Sequence, residues 1–135
     1  MGGGGTVAYT EKERRNRQLV LQMYQRVLAA MDSTQVDRYI RPDYIQHSRL
    51  ARPGIEGLKA FLDQVRVESP DARTHIKHVF ADGDFVIVHV HVIIQPGTPG
   101  ISVVDIFRCQ DGLVAEHWDV IQPVPVDSPN PLPMF

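Results

Sequence analysis

The hydrophobic pattern of this chain changes its period once, near residue 73, and that change constrains the fold more than any other feature. Before it, apolar residues recur at helical spacing, as at Val20, Tyr24 and Val27. After it, apolar and polar residues alternate through segments rich in Val and Ile, which predicts β-strands. Helices followed by a run of strands are typical of an α+β domain.

Cap and turn residues divide the first half into three predicted helices. Thr10 and Glu13 have the spacing of a capping box, so a long helix is expected to begin there. A short second helix is closed by Pro42, and a third follows Gly54 and ends near Pro70. The segment 44–47 is too short to classify and is expected to be extended.

The second half predicts an antiparallel meander, because Gly-containing turns separate its alternating segments. The expected strands are 74–81, 85–94, 101–109 and 113–122. Their apolar residues occupy both faces, so we expect helices to cover one face and a partner subunit to cover the other.

Composition indicates one globular domain, with 43% hydrophobic residues in a chain of 135. We expect a flexible segment at 1–9, the domain at 10–125 and a Pro-rich tail at 126–135. A net charge of -2 lacks the basic surface that nucleic-acid binding needs, and no apolar run is long enough for a membrane span. The single cysteine, Cys109, excludes an internal disulfide, is expected to be buried filler, and fits a cytoplasmic location.

Three neighbouring strands carry titratable residues among apolar ones. Residues two apart on a strand share a face, which pairs His117 with Asp119 and His89 with His91. Asp105 shares a face with Phe107 on the strand between. A curved sheet would bring these faces to one concavity, so we predict a small-molecule pocket.

The pairing of His117 with Asp119 predicts acid/base chemistry. A buried carboxylate beside a titratable partner is one way to obtain an acid or base that works near neutral pH. We expect Asp119 to be the general acid/base, with His117 orienting it. The structural alternative for Asp119 is a cap or an ion pair that holds the last strand in place. The structural alternative for His117 is packing, because a lone histidine on a strand is more often packed and hydrogen-bonded than catalytic.

A metal site is a further alternative. Gly83 followed by His89-Val90-His91 matches the opening of a cupin metal motif, but the next acidic ligand would fall near Gln95, which cannot serve. Two strand histidines with Asp105 or Asp119 could still hold a divalent ion. We nevertheless expect no metal and no cofactor.

Residues outside these strands complete the expected site. Tyr44 and His47 are placed at the pocket mouth, although a surface position is the simpler interpretation for His47. Trp118 should point away from its neighbours, towards packing or a subunit interface. Arg108 should face opposite Asp105, as a solvated or interface charge.

The motifs together resemble the SnoaL-like proteins of the NTF2-like superfamily, from about Lys12 to Pro125. The motifs that carry this resemblance are Tyr44-Ile45-Gln46-His47, Gly54-Ile55-Glu56-Gly57, Asp82-Gly83-Asp84, Val88-His89-Val90-His91, Asp105-Ile106-Phe107-Arg108 and Glu116-His117-Trp118-Asp119. One departure is Ser48, where such relatives often have asparagine.

The resemblance implies a cone of N-terminal helices on a curved antiparallel sheet that encloses a pocket, and a homodimer through the outer sheet face. Polyketide cyclases of this group perform cofactor-free intramolecular aldol closure with a pocket aspartate, and Asp119 and His117 match that aspartate and its histidine. The polar pocket lining that carries over consists of His47, His89, His91 and Asp105. We expect His47 to be catalytic, polarising the substrate oxygen together with His89 and His91. Tyr44 and Phe107 are expected to complete the substrate-binding set. The implied function is cyclisation or isomerisation of a small apolar carbonyl compound. The alternatives are a non-catalytic binding module and a limonene-type epoxide hydrolase, which would need an arginine between two acids in the pocket.

Overall fold

The structure, a computed structural model, describes residues 8–135, so most of the segment predicted to be flexible at 1–9 lies outside the described residues. The helices are α1 (Glu11–Met23), which continues as a π-helix (Tyr24–Ala29), a 3₁₀ turn (Ser33–Gln35), α2 (Val36–Tyr39) and α3 (Gly54–Glu68). The strands are β1 (Ile40–Gln46), β2 (Arg73–Asp82), β3 (Phe85–Ile93), β4 (Ile101–Gln110) and β5 (Leu113–Pro123).

The first helix begins at the predicted capping box. The Thr10 side chain accepts a hydrogen bond from the Glu13 backbone at 3.1 Å, and the Thr10 backbone N–H donates to the Glu13 carboxylate at 2.9 Å. The helix then widens into a π-helix at Tyr24, which the apolar pattern did not predict. π-Helical turns occur mostly as short insertions in α-helices and often at functional sites. No helix within residues 8–135 is long and apolar enough to cross a membrane.

The five strands form one sheet in the order β1-β5-β4-β3-β2. The predicted antiparallel meander of β2 to β5 is confirmed. The additional strand β1 pairs in parallel with β5, with Gln46 beside His117, so the sheet is mixed. Pro42 therefore lies in a strand and does not close a helix. It tolerates this position because β1 is an edge strand whose register is interrupted between Ile40 and Ile45.

The helices of residues 8–135 all pack on one face of the sheet, which we call the inner face. Val86, Val88 and Val90 of β3 are fully buried there, in one cluster with Val20 of α1 and Leu62 of α3. The fold is thus an α+β arrangement of helices on a curved sheet, as expected. The other side of the sheet is called the outer face.

Gly57 and Cys109 are two positions where close packing restricts the residue. Gly57 lets α3 approach the preceding loop, because a Cβ there would lie 2.0 Å from the Arg52 carbonyl oxygen. Cys109 is buried, as expected for packing, and burial raises the pKa of its thiol to about 12. Its burial and its protonated thiol fit a core residue and not a nucleophile.

Candidate functional site

A cavity of about 350 Å³ lies between the helices and the inner face of the sheet. Its walls are mostly apolar and include Phe61 of α3, Val103 of β4 and Ile121 of β5. Leu50 and Glu68 are exposed lining residues, which places the opening near them. A mostly apolar cavity of this size with a few polar groups is the usual form of a small-molecule site.

The polar side of the cavity is centred on His117. Its Nε2 lies 2.7 Å from Asp105 Oδ1, and its Nδ1 lies 2.7 Å from Gln46 Oε1. The ring also stacks on Phe107, with centroids 4.7 Å apart. His117 and Asp105 are both buried, so these contacts hold the imidazole in one orientation.

The hydrogen bonds also determine where the protons of His117 lie. The backbone N–H of Ser48 donates to Gln46 Oε1 at 3.0 Å, which fixes the orientation of the Gln46 amide. Gln46 Oε1 is then an acceptor for His117, so Nδ1 carries a proton. The contact between Nε2 and Asp105 Oδ1 likewise requires a proton between the two atoms, because neither can donate without one.

Tyr24 completes the environment of Asp105. Its hydroxyl donates to Asp105 Oδ2, so both oxygens of this buried carboxylate have partners. Burial, reinforced by the charge of Asp105, raises the pKa of Tyr24 well above its ordinary value, and the phenol remains a donor. The π-helix begins at this residue.

Asp119 has a different partner from the one expected. Its Oδ2 accepts a hydrogen bond from the Ser48 hydroxyl at 2.7 Å, whereas the imidazole of His117 is engaged by Asp105 and Gln46. The expectation that His117 orients Asp119 is therefore wrong. Within residues 8–135, no hydrogen bond is formed by Asp119 Oδ1, and Asp119 lines the cavity.

Tyr44 supplies a second group with free hydrogen-bonding capacity. The Gln46 side-chain amide donates to the Tyr44 hydroxyl oxygen at 2.8 Å, and the described residues provide no acceptor for the Tyr44 hydroxyl proton. Burial and the nearby Asp105 and Asp119 raise the pKa of Tyr44 far above its ordinary value. The cavity is thus lined by one phenol able to donate and one carboxylate able to accept.

The structure brings five of the sequence-predicted residues to the cavity and leaves three on the outer face. The five lining residues are Tyr44, Asp105, Phe107, His117 and Asp119.

His47 is one of the three residues on the outer face. Its ring stacks on Trp118 with centroids 4.9 Å apart, and its Nε2 donates to Glu116 at 2.7 Å. This hydrogen bond, with a smaller contribution from Arg108, lowers the pKa of Glu116. The catalytic role expected for His47 is corrected accordingly, because the residue alternates with Gln46 along an extended segment and so points away from the cavity.

His89 and His91 are also on the outer face, because the inner positions of β3 are the alternating valines 86, 88 and 90. His89 contacts His78 with the two Nδ1 atoms 3.0 Å apart, and His91 stacks on Phe135 of the tail with centroids 4.3 Å apart. Their expected role as substrate-binding residues is corrected. The metal set of these histidines with Asp105 or Asp119 is not assembled either, because the sheet separates them.

Asp105, His117 and Asp119 can each offer a ligand atom within 4.8 Å of the others. Both ring nitrogens of His117 and both oxygens of Asp105 are already hydrogen-bonded, so an ion could bind only by displacing these partners. The donor set therefore fits a hydrogen-bond network better than a preformed metal site.

Arg108 lies on the outer face, as expected, where it pairs with Glu116 at 2.9 Å. Among residues 8–135, neither Lys nor Arg lines the cavity. The epoxide-hydrolase alternative therefore lacks its arginine.

Sequence reasoning missed Tyr24, Gln46 and Ser48. Gln46 and Ser48 follow Tyr44 at intervals of two, so assigning 40–46 to a strand would have placed them together and His47 opposite. No comparable signal marks Tyr24, which has the spacing of an ordinary core position on a helix.

Comparison with known proteins identifies the family of this fold. The family model for the SnoaL-like domain matches residues 20–117. No curated protein matches the sequence.

Several solved structures share the fold. A candidate SnoaL-like polyketide cyclase from Jannaschia sp. CCS1 is 23% identical, with a TM-score of 0.71 over 86% of this chain and 91% of its own. A candidate polyketide cyclase from Acidithiobacillus ferrooxidans is 20% identical, with a TM-score of 0.66 over 85% and 91%. A candidate ketosteroid isomerase from Kribbella flavida is 18% identical, with a TM-score of 0.71 over 88% and 86%.

At these identities the structural likeness establishes the fold alone, whereas the family match covers well over half of the sequence. The chain belongs to the SnoaL-like family.

Proposed function

We propose that this protein is a cofactor-independent acid/base catalyst that cyclises or isomerises a small apolar carbonyl compound. The observation that carries the proposal is Asp119, whose Oδ2 is held by Ser48 while Oδ1 has no hydrogen-bond partner among the described residues. A carboxylate oriented by one oxygen and available through the other is suited to proton transfer.

The reaction would begin when Asp119 Oδ1 removes a proton from the carbon beside the substrate carbonyl. The electron pair of the broken C–H bond moves into an enolate, and the negative charge develops on the carbonyl oxygen. Tyr44 would donate its hydroxyl proton as a hydrogen bond to that oxygen. Asp119 would then return the proton, either to another carbon in an isomerisation or to the alkoxide formed by aldol closure.

The buried network would serve to hold Tyr44 as a donor. His117 donates to Gln46 through Nδ1, and Gln46 donates in turn to the Tyr44 oxygen. Hydrogen bonds in such a chain polarise one another, which strengthens the donor at its end. In this proposal His117 is a positioning residue, and Asp105 and Tyr24 keep it in place.

A probe reaction can test the proposal without the natural substrate. We expect the protein to catalyse exchange of the α-protons of 2-tetralone, a bicyclic apolar ketone, in D₂O as measured by NMR. Asp119→Asn should lower the exchange rate by about 10²–10⁴-fold, a typical loss for a general base. Tyr44→Phe should lower it by about 10²-fold, a typical loss for one oxyanion donor.

Asp82→Asn is a matched control, because Asp82 is exposed at the turn between β2 and β3 and makes no side-chain hydrogen bond to any described residue. It should keep the full rate. An Asp119→Asn protein that also keeps the full rate, or a wild-type rate equal to that of buffer, would contradict the proposal.

We further propose a homodimer through the outer face. On this face Phe80 of β2 is 51% exposed, and Val120, two residues from Trp118 on β5, is 67% exposed. Exposed apolar side chains on a sheet face are typical of a protein interface. Val120→Glu should give a monomer in light scattering, whereas Val67→Glu on α3 should leave the mass unchanged. A dimer that survives Val120→Glu would refute this interface.

A further inference from the structure

The charge of the cavity wall limits which ligands it can hold. Three carboxylates line the cavity, on Asp105, Asp119 and Glu68, and no Lys or Arg from the described part of the chain accompanies them. His117 is the one histidine of the wall and is hydrogen-bonded to Asp105, so Asp119 and Glu68 are left without a basic partner in the cavity.

The neighbours of these two carboxylates do not neutralise them. Asp119 is bonded by the hydroxyl of Ser48, and Glu68 by the side-chain amide of Gln64 at 3.0 Å, and both donors are uncharged. Arg49 and Arg52 belong to the loop at the opening, but they are exposed and do not line the cavity. Charges that face water are screened, which weakens the effect of Arg49 and Arg52 and also that of Glu68, so the half-buried Asp119 is the carboxylate that matters most to a ligand.

We propose that the cavity selects ligands by charge, taking a neutral or cationic apolar molecule and excluding carboxylates and phosphates. This rests on the proposed function in taking Asp119 as the group that meets the ligand. A neutral polar group places no charge beside Asp119 and a protonated amine can donate to its Oδ1, whereas a carboxylate would place like charges together inside a mostly apolar cavity. An anionic ligand also finds neither Lys nor Arg among the described lining residues to replace its lost hydration.

Three probes built on one ring system separate charge from shape. Isothermal titration calorimetry at neutral pH would measure binding of 2-naphthylmethylamine, 2-naphthylmethanol and 2-naphthoate to the whole protein. We expect the amine to bind at least about tenfold more tightly than the carboxylate, with the alcohol between them.

Asp119→Asn should reduce the preference for the amine over the carboxylate by about tenfold, because it removes one negative charge at the contact. The asparagine oxygen can still accept from Ser48, so the local structure is retained. Glu68→Gln, at the exposed opening, should reduce the preference by a smaller factor. Asp82→Asn removes the same charge at the distant turn and should leave the preference unchanged.

Equal affinity for the amine and the carboxylate would overturn the inference. So would a preference that Asp119→Asn and Glu68→Gln both leave intact, or the failure of all three probes to bind. These are equilibrium measurements, so they are independent of the 2-tetralone assay. A charge preference with unimpaired exchange in Asp119→Asn would retain the ligand class and remove the catalytic role.

Discussion

Tyr24→Phe is the sharpest test of the buried network, because it deletes one oxygen and leaves the ring. Tyr24 is 4% exposed and its hydroxyl donates to Asp105, which is 5% exposed. The edge-to-face contact of its ring with Phe107 would remain. A hydrogen bond to a charged group contributes about 1.5–3 kcal/mol, so we expect the free energy of unfolding to fall by about 2 kcal/mol.

This loss can be converted into a melting temperature. An unfolding entropy of about 2.1 cal/mol/K per residue gives about 0.28 kcal/mol/K for this chain, so Tm should fall by about 7 °C. Differential scanning calorimetry or urea unfolding followed by circular dichroism would measure the change. The expected sign is unambiguous, because Asp105 is left buried with one fewer donor.

Tyr39→Phe is the matched control. Tyr39 is 8% exposed, and its hydroxyl makes no hydrogen bond to any described residue. The same deletion there should change the free energy of unfolding by less than about 0.5 kcal/mol. If Tyr24→Phe were no more destabilising than Tyr39→Phe, the assignment of Tyr24 as a donor to a buried carboxylate would be refuted.

Three other outcomes follow from positions described above. Gly57→Ala should lower the free energy of unfolding by about 3 kcal/mol or more, because the added Cβ would clash with the backbone of Arg52. Gly83→Ala should lower it by only about 1 kcal/mol, because that turn is left-handed but has open space around it. Similar losses for the two variants in urea unfolding would contradict this. Cys109, with its pKa raised to about 12, should react with a thiol reagent at pH 8 more than about 100-fold more slowly in the folded protein than in urea, and equal rates would show the thiol to be accessible. ¹⁵N NMR of the imidazole should find His117 protonated at Nδ1 in the wild type, and Gln46→Leu should abolish that preference; an unprotonated Nδ1 would refute the assigned proton positions.

Much of the fold follows from local signals. The capping box at Thr10, the change of period near residue 73 and the Gly-containing turns each act over a few residues, and each element they predict is present. β1 was not predicted as a strand because Pro42 disfavours one and because its partner, β5, lies far along the chain. A parallel edge strand leaves no turn signal in the sequence.

The site was predictable where alternation along a strand determined the face. Asp105, His117 and Asp119 were placed correctly on the cavity side because β4 and β5 are regular at those positions. The histidines of β3 were misplaced, because alternation separates two faces without saying which one is covered by helices. The hydrogen-bond partner of Asp119 could not be predicted from the sequence, because Ser48 lies 71 positions away along the chain.

The parallel pairing of β1 with β5 has a consequence for how the protein folds. Gln46 and His117 are 71 residues apart, so their contact requires closure of a long loop. Contacts of this kind form slowly, whereas the hairpins of the meander are local. During synthesis on a ribosome, Gln46 and Ser48 could bond to His117 and Asp119 only after β5 had emerged. The polar wall of the cavity would therefore be among the last parts of the molecule to form. A nascent or truncated chain that ends before β5 would therefore have most of its sheet and none of its proposed chemistry.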